Sequence, residues 1–221
     1  MNVNMNNDVI ESFKEFEFQI KNKLIGEEGI IILNGKIPVI LSAPHSVEQV
    51  RKGRIKPAET RTASIVRFLS ENVNCYGVIK TRNFNDDANY DEKNYFKDVL
   101  IDVIKNNNIK VLIDLHIMSA NRKHNIDIGT GRGKNILNRY DLLDILINNF
   151  RLYYIEDVKV DYIFTASFKN TVSSTISRCC KIPCFQIEIN WKLLSENYNE
   201  NKIIEILNSL SKSIIEFKEL V

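Results

Sequence analysis

The stretch Ile109-Lys-Val-Leu-Ile-Asp-Leu-His116 decides the fold. Val111, Leu112, Ile113 and Leu115 make a near-continuous apolar run, the pattern of a parallel strand buried on both faces. Asp114 and His116 close the run with two polar groups that share one side of the strand. In open α/β sheets, ligands bind just outside such C-terminal ends. A second strand-like run, Pro38-Val-Ile-Leu-Ser-Ala-Pro-His45, also ends in a histidine, and the chain has only three. Two imidazoles at strand ends point to a metal site, because imidazole is the commonest nitrogen ligand for zinc.

Outward from these strands, helical and extended patterns alternate. Val9, Ile10, Phe13, Phe16 and Ile20 predict an amphipathic helix over 8–24. Strands are expected at 30–33 and 39–41, joined as a hairpin at Asn34-Gly35. A helix after Pro57 presents Thr62, Ile65, Val66 and Leu69 on one face, followed by a strand at 76–80 and a helix at 96–104. Beyond the strand at 110–115, another is expected at 126–128. A helix then carries Ile136, Leu137, Leu143, Leu146 and Phe150. Strands at 158–164 and 185–189 precede a C-terminal helical stripe of Ile203, Leu207, Leu210, Ile214 and Phe217. The alternation predicts one three-layer α/β/α domain over residues 1–221, with a mixed, mostly parallel sheet. Its core spans about residues 30–192, flanked by the two terminal helices.

Composition narrows the function. Thirty basic against 28 acidic residues leave no excess to neutralise phosphates, which argues against nucleic acid. No apolar run is long enough to span a membrane, and the N-terminus lacks the basic and apolar regions of a signal peptide. A cytoplasmic protein is expected, its four cysteines reduced. Cys179-Cys180-x-x-x-Cys184 lacks the paired spacing of structural zinc sites, so buried or half-buried thiols are expected there.

Several segments carry chemistry. His45-Ser-Val-Glu48 has a spacing that can present nitrogen and oxygen ligands to one zinc ion. Glu59, which opens the next helix, is an equally good candidate, although an acid there also complements the helix dipole. In Gln186-Ile-Glu-Ile-Asn190 the polar residues alternate with apolar ones. A carboxylate inside such a strand is costly unless paired or functional, which makes Glu188 a candidate general base; a solvated edge strand is the competing reading. Gly129-Thr-Gly-Arg-Gly-Lys-Asn135 is neither a P-loop nor a dinucleotide fingerprint. Its amides and Arg132 could form a carboxylate pocket, or the segment could be a plain tight turn. Asn and Asp crowd the loop at 81–91, at a strand end where substrate would dock. His124 is expected to face solvent.

Together these pieces resemble the N-formylglutamate amidohydrolase family, related in fold to zinc carboxypeptidases (phosphorylase/hydrolase-like). The matching segments are Ala43-Pro-His-Ser46, the acid at Glu59, Asp87-Ala-Asn89 after Arg82, Asp114-Leu-His116 and Gln186-Ile-Glu-Ile-Asn190. The resemblance implies a mononuclear zinc hydrolase of amide bonds beside a carboxylate-bearing group. It assigns His45, Glu59 and His116 as ligands and Glu188 as the base, and it prefers Glu59 to Glu48. Arg82, Asn89 or Arg132 would orient the substrate. The family's Asp-x-Asn is followed by arginine, and Tyr90 stands in that place here, leaving Arg132 to supply the charge. The expected partner is a small molecule or short peptide bearing a carboxylate. The exposed faces of the terminal helices could serve a homo-oligomer. The rivals are a carboxypeptidase-like peptidase or cell-wall amidase on the same site, and a non-catalytic protein that binds an anion at the glycine loop. Metal-free acyl or phosphoryl transfer is disfavoured, because neither a Gly-x-Ser-x-Gly elbow nor a Walker motif is present.

Overall fold

In a computed structural model describing residues 3–196 and 200–221, Val111–Met118 is the central strand of a seven-stranded sheet. The elements in chain order are α1 (Val3–Lys21), β1 (Ile30–Leu33), β2 (Ile37–Ala43), β3 (Gln49–Arg51), β4 (Arg54–Lys56), α2 (Arg61–Val73) and β5 (Cys75–Lys80). Then come α3 (Tyr95–Asn106), β6 (Val111–Met118), β7 (Ile126–Gly129), α4 (Tyr140–Leu152) and β8 (Val158–Val160). The chain ends with α5 (Val172–Cys180), β9 (Cys184–Asn190) and α6 (Glu200–Lys218). The sheet runs β1-β5-β2-β6-β9-β7-β8, while β3 and β4 form a separate hairpin. The pairs β5/β2, β2/β6, β6/β9 and β7/β8 are parallel; β1/β5 and β7/β9 are antiparallel.

Alternation along the strands builds two cores. Leu41, Ile113 and Ile187 face α1, α2, α4 and α6, while Ile40, Leu112 and Cys184 face α3 and α5. This is the expected three-layer α/β/α arrangement. On the α3/α5 side the apolar residues stop short of the strand ends, where Asp114, His116, Gln186 and Glu188 take over. A buried polar surface thus opens at the C-terminal edge of β6 and β9, the place where such sheets bind ligands.

Four local expectations are corrected. The Asn34-Gly35 hairpin does not form, because β5 lies between β1 and β2 and pairs with both. The amides of Lys36 and Ile37 instead donate to the Asn74 carbonyl, and a Cβ on Gly35 would lie 2.3 Å from the Cys75 carbonyl carbon. The turn signal at Gly35 therefore marks a close crossing. The strand expected at 158–164 ends at Val160, since the amides of Tyr162, Ile163 and Phe164 turn to the Asp127 carboxylate. Ile136 and Leu137 precede α4; Leu137 and Asn138 have positive φ, which breaks any helix there. His124 is buried, edge-on to Tyr162 and 3.6 Å from Asp127 Oδ2. The β3/β4 hairpin and α5 were not anticipated. Cys179 and Cys180 end α5, Cys179 being exposed, and all four cysteines are free thiols.

Candidate metal centre

β2 delivers His45 just past its end, and β6 carries His116 in its last turn of pleat. Glu59 precedes α2, and its amide donates to the His45 carbonyl at 2.7 Å, fixing the acid beside the first histidine. The carboxylate spans both rings: Oε1 is 3.3 Å from His45 Nδ1, and Oε2 is 3.1 Å from His116 Nδ1. Oε2 also accepts the Ile117 amide at 3.0 Å. Ligand atoms of His45, Glu59 and His116 all lie within 4.8 Å of one another. Glu48, the rival in sequence, is exposed and outside this cluster.

Each imidazole is held from behind by a second carboxylate. His45 Nε2 is 3.0 Å from Asp87 Oδ1, and His116 Nε2 is 3.1 Å from Asp114 Oδ2. Asp114 is itself fixed by Ser42 Oγ at 2.6 Å, and Asp87 by Arg51 Nε at 2.8 Å. With Nε2 committed to a carboxylate, Nδ1 of each ring is the atom turned toward Glu59. This is the outer arrangement that orients metal-binding histidines.

The electrostatics fit a cation. Burial alone would lower the histidine pKa values, yet Glu59 with Asp87 at His45, and Asp114 with Glu59 at His116, raise both. Burial likewise opposes ionisation of Glu59, but the two imidazoles hold its carboxyl far below the usual range. Three carboxylates around two buried rings thus favour positive charge in this cluster, whether as protons on the rings or as a bound cation. The N,N,O donor set suits zinc, with room for a fourth ligand.

Glu188 stands beside this cluster. β9 is an inner strand with every residue buried, so Glu188 is not on the edge strand that was the competing expectation. It pairs in register with His116, and Gln186 Nε2 donates to its Oε1 at 2.9 Å. Burial, reinforced by the negative charge of Glu59, pushes its carboxyl up to about 7. A group near neutrality can both take and give a proton.

These residues line a cleft of about 760 Å³. Asn89 is in it, its Nδ2 3.0 Å from His116 Nε2 and its Oδ1 accepting the Val172 amide. Arg82 is not: it donates to the carbonyls of Thr81 and Lys23. Arg132 is exposed at a positive φ and also lies off the lining. The glycine loop spends its polar groups inward. The Gly131 amide bonds the Thr165 carbonyl, Gly133 bonds Thr130 Oγ1, and Asn135 Nδ2 bonds the Ala166 carbonyl. It is a brace for the cleft wall at 163–166. The cleft's own cations, Arg51 and Lys56, were missed. The alternation of Gln49-Val-Arg51 and Arg54-Ile-Lys56 around Lys52-Gly53 was the available signal, a short hairpin with its basic residues on one side.

The fold and the polar cluster define an α/β protein with a candidate site at the C-terminal ends of its central strands. No protein-family model and no curated protein sequence matches the chain. Among solved structures, it is similar to N-formylglutamate amidohydrolase from Ralstonia eutropha, with a TM-score of 0.63, 14% identity and coverage of 87% of this chain and 98% of that one. It is also similar to a bacteriophage poly-gamma-glutamate hydrolase, with a TM-score of 0.60, 12% identity and coverage of 87% and 90%. A metallo-carboxypeptidase from Burkholderia cenocepacia aligns with a TM-score of 0.51 and 7% identity, over 87% of this chain and 61% of that one. At such identities the shared property is the fold, which is the one the resemblance in sequence implied.

Proposed function

We propose that the protein is a zinc-dependent amidohydrolase acting on an N-acyl amino acid, such as an N-formylglutamate-like substrate. The observation that carries this is the convergence of His45, Glu59 and His116 beside a buried, near-neutral Glu188. The fold shared with an N-formylglutamate amidohydrolase and a metallo-carboxypeptidase supports it. His45 Nδ1, His116 Nδ1 and a Glu59 oxygen would hold the ion. The chemistry such an ion would supply is polarisation of the scissile carbonyl and a lowering of a water's pKa to about 7.

The chain's own residues do the rest. Asp87 and Asp114 keep both rings oriented through Nε2. Gln186 occupies Glu188 Oε1, which leaves Oε2 to take a proton from the attacking water and pass it to the leaving nitrogen. The amide C–N bond breaks, the hydroxyl ends on the acyl carbon and the proton ends on the amine. Arg51 and Lys56 are the cations placed to receive a substrate carboxylate. The cleft volume also favours a second reading, a carboxypeptidase-like peptidase or cell-wall amidase, because 760 Å³ accommodates a short peptide. The anion-binding alternative loses its support, since the glycine loop turns inward.

No helix among the described residues is long and apolar enough to cross a membrane; a cytoplasmic setting is part of the proposal. The test is metal analysis of the purified chain, together with hydrolysis of N-acyl amino acids and of short peptides before and after chelation. About one zinc per chain and chelator-sensitive release of free amine are expected. Hydrolysis that survives complete metal removal would sink the proposal.

A further inference from the structure

The cleft differs in chemistry from one end to the other. Its floor crosses the sheet edge from the end of β2 through β6 to β9, and the 163–166 segment beyond β8 walls the far side. At the β2 end stands the β3/β4 hairpin, docked on the loop after β5 by the Val50 amide to the Asp86 carbonyl and by Arg51 to Asp87. Arg51 and Lys56 line the cleft there, and the register Arg51↔Arg54 puts Arg54 on the same hairpin face. The centre holds His45, Glu59, His116 and Glu188. At the far end, Asp127 on β7 sits opposite Glu188 and binds the amides of Tyr162, Ile163 and Phe164.

That far end is apolar and open. Ile163 is 41% exposed, Phe164 is half-buried, and Trp191, which follows β9, is exposed. Phe168 of the same loop adds apolar surface at 80% exposure. Phe164 and Trp191 pack in part against the chain, but together with Ile163 and Phe168 they leave apolar surface open to the cleft, as a ligand-binding patch does. Among the described residues no cation is part of the lining at this end: Arg132 and Lys134 lie off it, and the Arg122 guanidinium stacks over the Phe164 ring, 5.7 Å from its centroid.

We infer that the substrate is an N-acyl amino acid whose acyl group is bulky and apolar, its carboxylate at Arg51 and Lys56 and its acyl chain on Ile163, Phe164 and Trp191. The inference rests on the hydrolase reading for the position of the amide. It keeps the amide and the carboxylate of the N-formylglutamate-like reading and replaces its acyl group, since a formyl or acetyl group would leave the apolar end wet. A peptide extended at its amino side would put a charged ammonium against it. A medium-length aliphatic or an aromatic acyl group satisfies both ends at once.

The test uses the full-length chain as the zinc-loaded Glu188→Gln variant, which separates binding from turnover. N-acetylglycine, N-octanoylglycine and the uncharged N-octanoylglycinamide are titrated by calorimetry. Emission of Trp191, the chain's one tryptophan, is followed in parallel. N-octanoylglycine is expected to bind at least ten-fold more tightly than either other ligand and to shift Trp191 emission. Phe164→Ser should abolish the chain-length preference, and the exposed Ile163→Ser, which threatens folding less, should reduce it several-fold. Lys56→Gln should weaken both glycine acids alike.

Equal affinity for the acetyl and octanoyl acids overturns the inference, as does octanoyl binding that leaves Trp191 unmoved or survives both serine variants. Wild-type activity then settles the two questions separately. Hydrolysis of N-acetylglycine with no chain-length preference overturns the inference and leaves the hydrolase standing. Tight octanoylglycine binding with no hydrolysis by the wild type supports the polarity of the cleft and overturns the hydrolase.

Discussion

His116 and Glu188 lie side by side in register on adjacent parallel strands, β6 and β9. Parallel neighbours inside the sheet, with β9 buried throughout and β6 buried but for the half-buried Ile117, have little freedom to separate, so the two side chains keep a fixed relation. The sheet, rather than a loop, sets the distance between the two chemical roles proposed for this site.

Glu188→Gln should therefore remove turnover without removing the metal. A loss of 10²–10⁴ in kcat is expected for a general base. Zinc content should stay near that of the wild type, because Glu188 is not among the clustered ligand atoms. Parallel loss of zinc and activity would make it a ligand instead.

Glu59 and Glu48 give a sharper contrast. Glu59→Gln should lower zinc occupancy severely, since its carboxylate faces both Nδ1 atoms, while Glu48→Gln should change nothing. Asp114→Asn should weaken zinc about 10–100-fold by loosening the His116 ring. Competition against a chromophoric chelator measures all three.

The metal-stripped protein should show a pH signature. Glu188 titrates at about 7 when folded, above the ordinary 4.5, mainly because burial disfavours its anion. The folded state thus binds this proton more tightly than the unfolded state, so the contribution of Glu188 to stability falls as pH rises from 4.5 to 7. Glu188→Gln should match the wild type at pH 4 and exceed it above pH 7, by about 3 kcal/mol. Urea midpoints of the two chelated proteins at pH 4 and pH 8 test the sign. A gap that shrinks with rising pH would refute it.

Asp127 is expected to matter for the wall rather than the chemistry. Asp127→Ala leaves three amides without their acceptor and should destabilise the fold by about 3 kcal/mol. The remaining folded enzyme should show a raised KM with zinc bound normally. An unchanged KM would mean that the 162–164 segment does not touch substrate.

Much of the centre was legible because strand ends are legible. The runs ending at His45 and His116 announce buried strands, and the alternation around Glu188 tells which of its neighbours face the core. Glu59 was harder, since only the fold brings it back across the cluster; its local context allowed a helix-dipole role just as well. The failures share one physical cause. Asn34-Gly35, the glycine loop and Phe164 carry local signals for turn, anion pocket and strand, but each is recruited by a distant partner: Cys75, Thr165 and Asp127. Arg82 and Arg132 looked like substrate clamps because charge is visible in sequence and direction is not. Arg51 and Lys56 were hidden in a hairpin of three-residue strands, too short to show a period.

The hydrogen bond from the Glu59 amide to the His45 carbonyl has a consequence for how this protein could change. It pinches the chain shut between His45 and Glu59, so residues 46–58 leave and rejoin the cluster at one neck. The hairpin within is tied to that cluster at two further points, Gln49 Nε2 to the His45 carbonyl and Arg51 to Asp87, so its outer residues, 52–56, are the part that can be exchanged without disturbing His45. Changing the charge of those outer residues while keeping Gln49 and Arg51 is a route to new ligand preference that leaves the seat of His45 and Glu59 in place.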